Sequence, residues 1–132
     1  MGDDLAARYR GYLAALNERR LDDLVHHVHD EILYNGGAMT RDGYRDMIAG
    51  DIRAIPDLVF DAQIVVADDD GVACRLLFRC TPQHEFLGFT PNGERLTFAE
   101  HVFYRYRDGR IAAVSSLIDR ASIAEQLRAP SP

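Results

Sequence analysis

Asp51 is an acidic residue on what should be the apolar side of a helix. It follows Ile48 by three positions, Met47 by four and Tyr44 by seven, and residues at this spacing share one helix face. An isolated carboxylate in an apolar interior is costly and tends to keep its proton. The spacing therefore predicts that Asp51 either has a polar partner or lines an internal pocket.

Glu100 has a similar environment in the segment FAEHVFYRYR. Side chains alternate between the two faces of a strand, so Glu100 should share its face with Phe98, Val102 and Tyr104. His101 should lie on the opposite face, where sheet packing or a dimer interface is its expected role. The alternation thus predicts that Glu100 points inward.

Two carboxylates in one low-dielectric space push their pKa values apart, which is a common route to a general acid or base near neutral pH. We therefore predict that Glu100 and Asp51 are catalytic residues of a proton-transfer site. Tyr34 and Tyr104 could offer phenol donors to a substrate carbonyl, or they could be ordinary aromatic residues at the rim.

A structural role is the alternative for both acids. Glu100 could pair with an arginine such as Arg53 or Arg75, and Asp51 could hydrogen-bond a loop backbone. Asp119 at the end of the last strand is a rival to Asp51 if the strand phase is shifted, and otherwise it could cap the C-terminal helix.

The elements that must position these acids are helices followed by strands, which is the pattern of an α+β fold. Thr40 can cap the helix of Asp51, and that helix should end before Pro56, because the residue before a proline resists the helical conformation. From Leu58 onward the apolar period is two, and the DDDG and RDG turns predict hairpins. The predicted strands are a short EILYNGG, then LVFDAQIVVA, GVACRLLFRC, RLTFAEHVFYRYR and RIAAVSSLID. In the last strand one inward set is Ala112, Val114, Ser116 and Ile118, but alternation decides little there, because Ile111, Ala113 and Leu117 are also apolar and a bulge would shift the phase by one.

The composition is that of one globular domain. The chain has 132 residues, 47% of them hydrophobic, and a formal net charge of −6. We expect a single domain over residues 1–132 in the cytoplasm, since no segment has the apolar length of a signal peptide core or a membrane span. The negative charge argues against nucleic acid or a membrane as a partner.

His26, His27 and His29 are interpreted as a solvated helix face, and no metal site is predicted.

The segments ALNERRLDDLVHHVHDEILYNGG, EFLGFTPNGERLTF and YRYRDGRI carry a resemblance to a known family. The informative parts are the asparagine after the first helix, the G-x-x-P-x-G connector at residues 88–93 and the D-G-[KR]-I turn at residues 108–111. From about residue 9 to residue 127 the chain resembles the SnoaL-like polyketide cyclase and ester cyclase group of the nuclear-transport-factor-2-like superfamily. The resemblance implies a cone, in which a curved antiparallel sheet wraps around about three helices and leaves a pocket. It also implies a homodimer or higher homo-oligomer formed through the sheet.

The resemblance further implies where the site residues lie. In the characterised aldol cyclases of the family the acid/base is an aspartate on the last strand, and the matching position here is Ser116. The assisting histidine matches Val102, a nearby glutamine matches Glu100, and an asparagine at the end of the first strand matches Tyr34, beside Asn35. The aldol-cyclase pair is thus absent, while Glu100 keeps a pocket position and Tyr34, Asn35 and Ser116 become candidate substrate-binding residues.

Three functional classes are open. The first is a cofactor-independent enzyme that removes a proton next to the carbonyl group of a small apolar or aromatic compound, as in cyclisation or isomerisation. The second is a water-activating hydrolase or hydratase, and the third is a non-catalytic ligand-binding or dimerisation module.

A homodimer through the outer face of the sheet is expected, because Leu77, His101 and Phe103 make that face less polar than a solvent face should be.

Overall fold

The computed structural model describes residues 2–128, so Met1 and residues 129–132 of the predicted domain lie outside the described residues. The helices are α1 (Gly2–Asn17), α2 (Leu24–His27), α3 (Arg41–Ala54) and α4 (Arg120–Arg128), with a 3₁₀ turn at Leu21–Asp23. The strands are β1 (Val28–Tyr34), β2 (Gly37–Thr40), β3 (Asp61–Ala67), β4 (Gly71–Cys80), β5 (Leu96–Arg107) and β6 (Arg110–Ile118).

The six strands form one curved, unclosed sheet in the order β2-β1-β6-β5-β4-β3. The predicted α+β cone is confirmed, with one difference in strand direction. Four neighbouring pairs are antiparallel, but β1 and β6 run parallel, so the sheet is mixed. The long stretch of chain between β1 and β6 allows this direction, which a tight hairpin would forbid.

The helices cover the concave face of the sheet and supply much of the core. α1 packs against β3 and β4, while α3 packs against β1 and β2. Tyr9, Tyr12 and Leu16 of α1 are at most 1% exposed, so they form the buried apolar stripe of this helix. The Thr40 hydroxyl accepts a hydrogen bond from the backbone N–H of Gly43, so the predicted N-cap of α3 is also confirmed.

The inward set predicted for β6 is wrong at Ala112. Arg105 pairs with Ala113 and Tyr106 pairs with Ile111, so Ala112 is an extra residue in the pairing of β5 with β6. Ile111 takes the inward place and is fully buried. Past this bulge the prediction fits, since Val114 is buried and Ser116 and Ile118 are half-buried.

The outer face of the sheet carries exposed apolar side chains. Phe103 is 63% exposed and Leu117 is 76% exposed. The strand register places Val66, Ala73, Phe103 and Ser115 in one row across four strands, and Ile64, Arg75, His101 and Leu117 in the next row. No helix within residues 2–128 has both the length and the apolar character needed to cross a bilayer.

Candidate active site

A cavity of about 110 Å³ lies between the helices and the inner face of the sheet, and a second cavity of about 50 Å³ adjoins it. Asp51 from α3 and Glu100 from β5 line both cavities. The larger cavity is lined by Tyr12, Leu16, Tyr34, Tyr44, Met47, Ile48, Asp51, Phe60, Leu76, Leu87, Glu100, Val102, Tyr104, Val114 and Ile118. Two larger depressions, of about 590 and 480 Å³, lie along the outer face and include neither carboxylate. The internal cavity is therefore the candidate active site.

Glu100 is held in place from the neighbouring strand. The Ser116 hydroxyl donates a hydrogen bond to Oε2 of Glu100. Burial raises the pKa of Glu100, the hydrogen bond from Ser116 opposes this rise, and the negative charge of Asp51 adds to it. Glu100 is thus a fixed carboxyl group whose affinity for a proton is increased by its surroundings.

Asp51 faces the same space from α3. Burial raises its pKa from 3.8 to about 6, and among residues 2–128 no hydrogen bond or ion pair opposes the rise. A carboxyl group with this pKa changes charge close to neutral pH, as a general acid or base must.

The structural alternative was an arginine partner for Glu100 and a hydrogen bond to a loop backbone for Asp51, and neither contact occurs among the described residues. Within residues 2–128, neither Glu100 nor Asp51 takes part in a salt bridge. Arg75 lies on the outer face with its Nη1 2.7 Å from Nε2 of His101, and Arg53 is exposed. Both carboxylates therefore face the cavity without a neutralising charge.

Four phenols share the cavity wall with the two acids. The hydroxyl oxygens of Tyr12 and Tyr44 are 2.6 Å apart, and Tyr34 and Tyr104 line the same space. Burial raises the pKa of each of these phenols above its usual value, so all four keep their protons at neutral pH. They can act as hydrogen-bond donors to an oxygen atom in the cavity.

Asn35 and Ser116 lie behind the cavity rather than in its lining. Asn35 is exposed in the turn between β1 and β2, with a φ of 49°, which an asparagine tolerates. Its Oδ1 accepts a hydrogen bond of 2.7 Å from the backbone N–H of Ser116, and its own N–H donates to the carbonyl oxygen of Val114 at 2.8 Å. Asn35 thus fixes the strand position from which Ser116 contacts Glu100.

Neither of the two secondary candidates lines the cavities. His101 is exposed on the outer face, on the side predicted from the alternation. The Asp119 carboxylate accepts a hydrogen bond of 3.1 Å from the backbone N–H of Ser122, so it caps α4.

The histidine cluster is divided between two elements. His29 is 6% exposed and its Nε2 is 2.6 Å from the carbonyl oxygen of Arg107. The predicted solvated face is therefore wrong for His29, because β1 begins at Val28 and His29 is buried within this strand. In the described part of the chain no group of three or more possible metal ligands occurs.

Sequence reasoning missed several residues that line the cavity. Tyr12 and Tyr44 look like ordinary members of apolar helix stripes, and only their hydroxyl groups could have marked them as site residues. Phe60 and Leu87 lie outside the regular elements. Leu87 has a φ of 51°, and no pattern in the connector between β4 and β5 predicts its place over the cavity.

The carboxylates and phenols of the cavity can together transfer protons. A carboxylate can accept a proton from a substrate carbon or hydroxyl group, and a phenol can stabilise a negative oxygen that forms nearby.

Comparison with known proteins identifies relatives over most of the chain. The sequence model of the SnoaL-like polyketide cyclase family matches residues 6–127. A SnoaL-like polyketide cyclase from Agrobacterium tumefaciens is 41% identical, with a TM-score of 0.89, and the alignment covers 93% of this chain and 97% of that one. No curated protein matches the sequence.

More distant structures share the fold. TsrD from Streptomyces laurentii is 23% identical with a TM-score of 0.85, and the alignment covers 97% of each chain. AclR from Streptomyces galilaeus is 23% identical with a TM-score of 0.82, and the alignment covers 98% of this chain and 100% of that one.

Proposed function

This chain belongs to the SnoaL-like polyketide cyclase family, and from that premise we propose that it is a cofactor-independent enzyme that transfers protons on a small carbonyl compound. The observation that carries the proposal is the shared cavity of Asp51 and Glu100. Two acids with raised pKa values, from different elements and without a salt bridge among the described residues, are costly to the fold. Such a cost is typical of a functional site.

In the proposed step, Glu100 is the base. The bond between hydrogen and the carbon next to the carbonyl group breaks, the proton passes to the Glu100 carboxylate, and the electron pair moves to the carbonyl oxygen as an enolate. A phenol donor such as Tyr34 or Tyr104 stabilises that oxygen. Ser116 orients Glu100 through its hydrogen bond.

Asp51 completes the proton transfers as the acid. In an isomerisation its protonated form returns a proton to a different carbon of the enolate. In a cyclisation the enolate carbon attacks a second carbonyl group, and Asp51 protonates the alkoxide that forms. Transfer of a proton from Glu100 to Asp51 then restores both groups.

Hydrogen exchange tests this function without knowledge of the natural substrate. The protein is incubated in D₂O with a panel of small aryl and alkyl ketones, and exchange next to the carbonyl is followed by proton NMR. We expect exchange above the buffer rate with the parent protein, and a decrease of about 10²–10⁴-fold for Glu100→Gln, since general-base catalysis contributes factors of this size.

Glu125→Gln is the matched control, because it removes the same charge from an exposed site on α4. This variant should exchange protons at the parent rate. Equal rates for the parent and Glu100→Gln with every ketone that the protein accelerates would show that Glu100 is not the base.

We also propose that two copies associate through the outer face of the sheet. The support is the pair of cross-strand rows that contain Phe103 and Leu117, which are 63% and 76% exposed. A second copy of the same face is a suitable cover, because it would bring a second row of Val66, Ala73 and Phe103 against the first and remove these apolar side chains from water.

A further inference from the structure

We propose that the substrate is about the size of one aromatic ring, with an oxygen at one end and hydrocarbon at the other, and that it lies across the two carboxylates. This inference rests on the proposed function, and it adds the size and polarity of the substrate. It follows from how the lining of the two adjoining cavities is divided.

The hydroxyl groups lie in the larger cavity and the phenyl rings concentrate in the smaller one. Tyr12, Tyr34, Tyr44 and Tyr104 line the cavity of about 110 Å³ and do not line the other. Phenylalanine rings surround the cavity of about 50 Å³ and form a connected cluster. Their centroids are 5.8 Å apart for Phe60 and Phe78, 5.2 Å for Phe78 and Phe98, and 6.4 Å for Phe86 and Phe98. Because both carboxylates line both cavities, they lie at the junction between a phenolic half and a phenyl half.

The phenolic half has a hydroxyl hydrogen to offer to a ligand. A pair of hydroxyl groups needs only one of its two hydrogens for the bond between them. Tyr12 and Tyr44 form such a pair, and neither hydroxyl group has another hydrogen-bond partner within residues 2–128. One hydrogen of the pair is therefore available to a ligand oxygen at this end, whereas the phenyl half offers apolar contacts.

The volume sets the size of the ligand. Pockets for drug-sized ligands are about 300–1,000 Å³, and an apolar cavity of about 150 Å³ holds one benzene molecule. The two cavities, of about 110 and 50 Å³, together have about the volume that holds one benzene molecule. A compound with three fused rings does not fit unless the walls move.

The wall over the junction is held in place. Leu87 lines both cavities, and its carbonyl oxygen accepts a hydrogen bond of 2.9 Å from Nη1 of Arg120 in α4. Phe86 and Phe89 on either side of it exchange backbone hydrogen bonds of 3.1 and 2.7 Å. The connector is thus a closed turn that limits the length of a bound molecule.

A series of ketones with a constant acetyl group tests the proposal by binding alone. The ligands are acetophenone, 2-acetylnaphthalene and 2-acetylanthracene, and Kd is measured by NMR titration or calorimetry. Apolar ligands ordinarily bind more tightly as they grow. We expect the reverse order, with the three-ring ketone at least tenfold weaker than acetophenone. Ethylbenzene, which lacks the oxygen, should also bind at least fivefold more weakly than acetophenone.

Phe60→Ala tests whether the phenyl half sets the limit, because Phe60 is half-buried and borders both cavities. This variant should tighten the binding of 2-acetylnaphthalene at least fivefold. Phe103→Ala makes the same change on the outer face and should leave all three values of Kd unchanged. Melting curves of both variants establish that they are folded.

The outcomes separate this inference from the proposed function. Affinity that increases with ring number in the parent, or no gain for naphthyl binding in folded Phe60→Ala, overturns the size limit. A protein that binds acetophenone in the expected order but does not exchange its methyl protons keeps the size limit and loses the proton-transfer function.

Discussion

The hydroxyl group of Ser116 on β6 donates a hydrogen bond to the carboxylate of Glu100 on β5, and this contact orients the proposed base. The same hydrogen bond also affects how readily Glu100 ionises. A hydrogen bond to the ionised form of an acid lowers its pKa, so Ser116 opposes the rise that burial causes. Three predictions concern charge and hydrogen bonding inside the cavity, and a fourth concerns the outer face.

Replacement of Ser116 by alanine should raise the pKa of Glu100 further. The acidic limb of the pH–rate profile for ketone exchange should move to higher pH, because more Glu100 then carries a proton at a given pH. Carbon-13 NMR of the Glu100 carboxyl group gives the same quantity directly. Ser115→Ala removes an exposed hydroxyl from the adjacent position and should leave the titration unchanged. A Glu100 pKa that falls in Ser116→Ala contradicts the assigned role.

Asp51→Asn should stabilise the protein above pH 6 and have little effect below pH 4. The pKa of Asp51 is about 6 in the folded protein and near 3.8 in the unfolded chain, so the folded state binds the proton more tightly between these values. The free energy of unfolding therefore falls as the pH rises through this window and is constant above it. The full shift corresponds to about 3 kcal/mol, and partial exposure of Asp51 reduces the expected gain to about 1–2 kcal/mol.

Urea unfolding of the parent and Asp51→Asn at pH 4 and pH 8 measures this difference. Asp46→Asn makes the same change on the exposed side of α3 and should behave like the parent at both pH values. If Asp51→Asn unfolds far more easily than the parent at pH 8, the carboxylate has a structural partner and the proton-transfer interpretation fails.

The hydroxyl pair of Tyr12 and Tyr44 gives a double-mutant cycle. Tyr12→Phe or Tyr44→Phe alone leaves a buried hydroxyl group without its partner and should cost about 1–2 kcal/mol. The double variant should lose less than the sum of the two single losses, because no orphaned hydroxyl is left. Urea unfolding at pH 7 provides all three values.

Tyr106→Phe is the control for this cycle. Its hydroxyl group is buried without a hydrogen-bond partner among residues 2–128, so its removal should be neutral or slightly stabilising. Strict additivity of the Tyr12 and Tyr44 substitutions would mean that the two phenols are not energetically coupled.

Light scattering tests the outer face as a dimer interface. We expect a mass of twice 14.9 kDa for the parent at micromolar concentration and a mass of 14.9 kDa for Leu117→Glu. Leu117 is 76% exposed, so the charge should not disturb the fold of one chain. Val59→Glu places the same charge on an apolar residue that is 55% exposed and lies outside the strands, and it should stay dimeric. A monomeric parent excludes this interface.

The sequence was sufficient to place Glu100 and Asp51 because each prediction depends on local geometry. Strand alternation turns Glu100 inward, and helical spacing puts Asp51 on the buried stripe of α3. Ala112 was misplaced because a bulge adds a residue without a local signal. The partnership of Tyr12 with Tyr44 could not be predicted, since it requires the relative position of two helices that only the folded sheet determines.

The same distinction applies to strand order. Hairpin turns of two or three residues predicted the pairing of β3 with β4 and of β5 with β6, since a tight turn forces its strands together. No turn or local sequence pattern predicts that β1 pairs with β6. That pairing depends on how far the sheet curves, which is a property of the whole structure.

The parallel pairing of β1 with β6 has a consequence for the order in which the molecule forms. On a ribosome Leu33 of β1 emerges well before Ala113 of β6, with which it pairs. Until then the edge of β1 that receives β6 has no partner, and α3 has no completed sheet to cover. The carboxylate cavity thus closes only after β6 is synthesised, and this high sequence separation of contacts favours slow folding. Conditions that delay release of the C-terminal strand should therefore expose the apolar face of α3 to misfolding before any site exists.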